Sequence, residues 1–252
     1  AHRWLKQQLD ELQALGVDGF KFDAGDSVYY PSDGITTGDE HCRAWAAFGE
    51  QYSFNEFRVT SGAGGWSLTQ RLCDKDHSWG NTGLAALIPD AIVQSLTGHS
   101  FLCPDMIGGG EYRNFYSQER LDQEIMFGMT SEMYALHKKE GLAVMCYSSQ
   151  AQGYFSCADK EDFMENPVYD NPREFYENEI SRLRLKKVKV LAKKYQCDPT
   201  QIALKYMLCK DAFPTIPIIG SGRLSEVKLS IEAMGIPLTK EECEYLENDA
   251  KE

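Results

Sequence analysis

Within the first 26 residues an amphipathic helix, a glycine, a short apolar strand and an acidic turn follow one another, and this order restricts the fold more than any other feature. Trp4, Leu5, Leu9, Leu12 and Leu15 share one face of a helix over 1–15. Gly16 is placed to end it, and 17–22 is apolar enough for a buried strand that stops at Asp23. The pattern continues with a helix over 41–52, a strand over 57–60, an apolar helix over 84–96 and a strand over 100–102. Strands separated by helices, with Asp- and Gly-rich loops after the strands, require a parallel α/β sheet or barrel.

At 252 residues the chain suits either one (β/α)8 barrel, typically roughly 250 residues, or two smaller domains. A formal net charge of -12 repels phosphate backbones and anionic lipid, so neither nucleic acid nor a membrane surface is an expected partner. Oligomeric state is left open. Eight cysteines without a C-x-x-C pair suggest no zinc site or disulfide scaffold, and reduced thiols point to the cytoplasm. There is no apolar run of about 18 residues and no signal-peptide core. The chain opens abruptly inside a helix, as though a segment preceded it.

After about residue 125 the texture changes, and two domains are expected, 1–127 and 128–252. The second should contain a helix over 132–140, a strand over 142–147, an acidic and aromatic stretch over 159–177 wrapping the surface, and a basic helix over 179–195. Asp198, Pro199 and Gln201 form an N-cap, first-turn proline and capping-box partner for a helix to 208. A strand over 215–219, a helix over 225–234 and a last helix capped by Thr239 with Glu242 complete it.

In the first half Asp23, Asp76 and Asp105 fall where strands of a barrel end, the position from which catalytic groups of such barrels project. Any one alone reads as a helix cap or loop acid. Together they fit a retaining glycosidase, in which one carboxylate attacks the anomeric carbon and another, about 5 to 5.5 Å away, protonates the departing oxygen. The run G-V-D-G-F-K-F-D-A-G-D (16–26) resembles the nucleophile strand of glycoside hydrolase family 31. R-L-C-D-K-D-H-S-W-G (71–80) resembles that family's acid/base segment, and 87–110 its following helix and strand. The resemblance covers about 1–125, corresponding to the fourth to seventh strands of the family's (β/α)8 barrel. It implies Asp23 as nucleophile, Asp76 as acid/base, and Asp105 and Arg71 as sugar ligands, with no cofactor. Asp74 competes with Asp76 for the acid role. Lys21, two residues before Asp23, is expected to hold that carboxylate ionised or touch substrate. Trp79 and Trp66 are each suited to stacking on a sugar or to core packing, and His77 reads as a hydrogen-bonded neighbour. The loop S-G-A-G-G-W (61–66) lacks an arginine common in that family.

From about residue 130 the chain resembles the C-terminal part of an aldo/keto reductase, on G-L-A-V-M-C-Y-S-S-Q-A-Q-G-Y-F-S (141–156), D-P-T-Q-I-A-L-K-Y (198–206) and P-T-I-P-I-I-G-S-G-R (214–223). That family is also a (β/α)8 barrel. The resemblance implies NAD(P) as cofactor, with Tyr147, Ser148 and Gln150 near it and Gly220, Ser221 and Arg223 at its phosphates, beside a helix N-terminus. The bland reading of that last segment is a glycine-serine turn that starts a helix. The family's catalytic Asp, Tyr, Lys and His lie in its first half, so hydride transfer is not expected. The fold expected of the whole is α/β, a partial or hybrid (β/α)8 barrel of the TIM type. Three functions remain open: a retaining α-glycoside hydrolase acting on a small carbohydrate, an NAD(P)-binding oxidoreductase fragment, and a non-catalytic fusion product.

Overall fold

A computed structural model describes residues 1–23, 36–75, 80–104, 131–209 and 211–247. It divides into two compact units, Ala1–Tyr134 and Ala135–Glu252.

The first unit carries helices α1 (His2–Leu15), α2 (Gly38–Gly49) and α3 (Leu87–Leu96), and strands β1 (Gly19–Phe22), β2 (Phe54–Phe57), β3 (Thr69–Arg71) and β4 (Phe101–Cys103). The strands form one parallel sheet in the order β1-β2-β3-β4. Gly16 ends α1 in the left-handed conformation at φ 110°, which a glycine adopts without a Cβ penalty. Thr37 caps α2 through a reciprocal box with Glu40. Successive side chains of a strand point to opposite faces. One face of the sheet is apolar: Phe22 and Phe57 stack at 4.9 Å and pack with Ala46, Phe48 and Tyr52, with Leu5 and Leu9 of α1 against them. Trp4, placed by helical spacing on the same face, is 65% exposed, and the contacts with this cluster are made by Leu5, Leu9 and His2, whose ring meets Phe48 edge-on at 4.8 Å.

β1 and β2 approach closely at Gly19, whose Cβ would stand 1.9 Å from the Phe54 carbonyl oxygen. Gly19→Ala is therefore expected to cost about 1–3 kcal/mol, the usual penalty of overpacking. A denaturation midpoint unchanged in urea would show that the strand pair is not so close.

The second unit carries β5 (Val144–Cys146) and β6 (Thr215–Pro217), paired in parallel, after helix α4 (Ser131–Glu140). Helices α5 (Tyr154–Cys157), α6 (Asp170–Tyr176), α7 (Glu179–Tyr195), α8 (Pro199–Leu208), α9 (Leu224–Glu232) and α10 (Lys240–Glu247) follow. Asp198, Pro199 and Gln201 make the capping box expected of them, and Thr239 and Glu242 exchange hydrogen bonds before α10. Val188, Leu191 and Ala192 of α7 meet Ile202 of α8, Ile236 and Leu246 in one core. The 159–177 stretch lies largely at the surface, as its acidity suggests, but is anchored inward by Phe163 and Pro172. Phe163 is 1% exposed and packs with Tyr154, Cys157, Ala158 and Leu185, while Tyr169 and Tyr176 lie against that cluster. Its charges are carried by the polar side: Arg182 of α7 pairs with Glu177 at 2.6 Å and Asp159 at 2.9 Å.

The fold is thus α/β with parallel strands. Among the described residues four strands form one sheet, two form another, and neither closes on itself.

Candidate functional site

The opposite face of the first unit's sheet is charged. Alternation from Phe20 and Phe22 turns Lys21 and Asp23 away from the aromatic core, and the register sets Lys21 beside Glu56. On β3 the same alternation puts Arg71 there, buried at 4% exposure, while Gln70 faces the other way. Arg71 is the hub of this layer. Its Nη2 lies 3.0 Å from Asp23 Oδ1, its Nη1 donates to Asp74 Oδ1 at 2.9 Å, and its Nε is 3.1 Å from Glu56 Oε1. Arg58 Nη1 reaches Asp23 Oδ1 at 3.5 Å and Asp74 Oδ2 at 3.9 Å. Lys21 Nζ faces Asp23 Oδ2 at 3.7 Å.

Asp23 sits just past the end of β1 with its side chain 46% exposed. Cations at this distance favour the charged form of a carboxylate, and the buried guanidinium fixes its direction. Oδ1 takes both arginines, whereas Oδ2 has the more distant ammonium. A half-exposed, oriented anion at a strand's C-terminal end is suited to nucleophilic attack or to a sugar hydroxyl. Asp74 lies against two guanidinium groups, a poor setting for a group that must carry a proton to a leaving oxygen.

Of the sugar-site residues expected from the sequence, Asp23, Lys21 and Arg71 are brought together. Asp76, Trp79 and Asp105, with His77, lie outside the described residues. Trp66 packs against the aromatic core with the Arg43 guanidinium 5.8 Å from its ring centre, so it takes the packing alternative. Arg58 and Glu56 were missed by sequence reasoning. The strand expected over 57–60 begins three residues earlier, so Arg58 becomes the first residue of the loop and not a strand residue. The signal for Glu56 was its register with Lys21, which needs the strand pairing to be known. Gln70, 3% exposed, positions both arginines: its Nε2 donates to the Arg58 carbonyl at 2.9 Å and the Arg71 carbonyl at 2.8 Å, and its Oε1 accepts from Thr60 Oγ1 at 2.8 Å.

In the second unit the two segments singled out for a dinucleotide are tied together. Ser149 Oγ donates to the Ile218 carbonyl at 2.7 Å, and Gln150 Nε2 donates to Ser230 Oγ on α9 at 3.0 Å. Ser148 holds φ 49°, a left-handed conformation that is strained for a residue with a Cβ, and it hydrogen-bonds Tyr176, whose burial pushes the phenol's pKa up. Gly220, Ser221 and Arg223 precede α9. The Gly222 N–H donates to Glu226 Oε2 at 3.1 Å, and Arg223 Nε lies 3.3 Å from Glu226 Oε1, with Arg223 81% exposed. Two donors of this loop, the Gly222 N–H and Arg223 Nε, therefore already serve a carboxylate of the same chain, and the loop fits a dinucleotide phosphate only with that carboxylate displaced.

No described residues cluster as three His, Cys, Asp or Glu ligands for a metal, and no described helix is long and apolar enough to cross a membrane. None of the eight cysteines, all among the described residues, forms a disulfide.

Comparison with known proteins gives different relatives for the two halves of the chain. The N-terminal half is similar to myogenesis-regulating glycosidase of Mus musculus, 35% identical over 117 residues, which cover 43% of this chain and 16% of that protein. SITS-binding protein of Tetronarce californica is 29% identical over 129 residues, 48% of this chain and 18% of that protein. The chain thus spans less than a fifth of the length of these relatives. A solved thermostable aldo-keto reductase, crystallised with the inhibitor epalrestat, aligns over 88% of this chain and 57% of its own at 16% identity and a TM-score of 0.37. The aldo/keto reductase family model matches residues 121–250. Since that match takes in more than half of the 252 residues, the chain belongs to the aldo/keto reductase family, through a C-terminal half joined to a glycosidase-like N-terminal one.

Proposed function

We propose that the charged face of the first unit is the nucleophile side of a retaining α-glycoside hydrolase acting on a small carbohydrate in the cytoplasm. Asp23 attacks the anomeric carbon as the bond to the leaving oxygen breaks, and Asp76 gives that oxygen its proton and then takes one from the attacking water. Arg71 holds Asp23 in line, and Lys21, Trp79 and Asp105 bind the sugar. The observation that carries this reading is the half-exposed Asp23 carboxylate at the end of β1, held at 3.0 Å by a buried arginine. Similarity to a protein named as a glycosidase over the same half supports it.

The covalent intermediate is the discriminating test. An activated 2-fluoro α-glycoside, which forms the glycosyl-enzyme and releases it slowly, is expected to add one sugar mass to the peptide containing Asp23. No adduct, or an adduct on another peptide that persists in Asp23→Asn, would remove Asp23 from the role.

A second reading assigns NAD(P) to the second unit, favoured by the family match over residues 121–250. Ser148, Gly220, Ser221 and Arg223 would hold the dinucleotide, which when bound would supply hydride chemistry. This chain's own residues there offer binding and orientation only.

A further inference from the structure

We infer that Glu226 is a resident anion in the dinucleotide phosphate loop, and that its carboxylate holds the loop's affinity for a phosphorylated cofactor down; this rests on the second reading of the C-terminal half. The first turn of α9 carries Glu226, and its two oxygens divide the loop's donors between them. Oε2 accepts from the Gly222 backbone N–H at 3.1 Å, and Oε1 lies 3.3 Å from Arg223 Nε. An N–H at a helix start and an arginine beside it are the groups that anions use. Here the anion is supplied in cis, three and four residues along the same chain, so it competes with a free ligand intramolecularly.

A phosphate entering this loop meets two obstacles of the same origin. It must displace a hydrogen-bonded carboxylate from the Gly222 N–H, and it must then lie beside that carboxylate's charge. Like charges so placed oppose binding strongly. The side chains concerned are exposed, 81% for Arg223 and 44% for Glu226, so the contact is open to exchange with solvent and to displacement. The arrangement also separates the two parts of the C-terminal half: the Ser149–Ile218 and Gln150–Ser230 ties fix the frame, while the anion seat itself is closed by one side chain.

The test is direct titration of the full chain with NADPH, followed by its own fluorescence, in wild type, Glu226→Gln, Glu226→Ala and the double variant Glu226→Gln/Arg223→Ala. Removing the charge is expected to tighten NADPH binding by about tenfold or more, the scale of a relieved like-charge contact. Arg223→Ala should erase that gain. Melting temperature should move the other way or stay still, because a carboxylate in the first turn stabilises a helix; a gain in affinity that merely followed a gain in stability would overturn the inference. If wild type binds and the double variant does not, yet both Glu226 variants bind no better than wild type, the resident anion falls and the cofactor reading stands. If none of the four proteins binds NADPH, both fall.

Discussion

Asp23→Asn is expected to lower turnover of aryl α-glycosides by on the order of ten-thousandfold, the scale seen when a member of a catalytic unit is removed. The substitution keeps shape and removes only the nucleophilic charge, because an amide oxygen at the same place cannot form a glycosyl ester that water later hydrolyses. Stability should hardly change. The Asp23 side chain is 46% exposed, and ion pairs open to solvent contribute roughly 0–1 kcal/mol. The two readouts together are diagnostic: activity lost with the melting curve in place assigns Asp23 to chemistry. Equal turnover by both proteins would end the hydrolase reading. A joint loss of activity and folding would make Asp23 a structural partner of Arg71.

The sequence disclosed most where local rules decide. Gly16, the Thr239–Glu242 pair and the Asp198-Pro199-Gln201 box could be read directly because caps depend on neighbouring backbone alone. Helix α7 runs over the 179–195 expected of it. Strands three or four residues long were harder. β3 is three residues, T-Q-R, with no apolar member, and exists because Thr69 and Gln70 pair with β2 while Thr69, Gln70 and Arg71 pair with β4. No periodicity can announce such a strand. The site followed the same division. Asp23 and Lys21 were legible because they share a strand, two residues apart. Arg71 was named from family resemblance as a sugar ligand, but its central place in the charged layer is a product of three strands in register. Glu56 and Arg58 stayed hidden since each is identified only by what it faces across the sheet. In the second unit, acidity in 159–177 concealed an aromatic core, because Phe163 and Tyr176 turn inward while the neighbouring carboxylates turn out.

Arg71→Met tests whether the charged layer holds the sheet as well as the site. Methionine keeps most of the apolar stem and deletes the guanidinium, so packing loss is limited and the lost term is electrostatic. Arg71 and Glu56 are both buried, at 4% and 6% exposure, and 3.1 Å apart. Removing one partner of a buried pair costs about 3–5 kcal/mol, since the other charge stays in a poorly solvated place, whereas replacing both by apolar groups is often close to neutral. Arg71→Met alone should therefore shift the denaturation midpoint strongly, and Glu56→Leu/Arg71→Met should recover most of the loss. Turnover separates the two roles of the arginine. The double variant, though restored in stability, still lacks the fork that holds Asp23 and Asp74, so its activity should remain low. If the double variant is no more stable than Arg71→Met, Glu56 and Arg71 are not coupled across the sheet. If it regains full turnover, Asp23 needs no guanidinium to hold it in line.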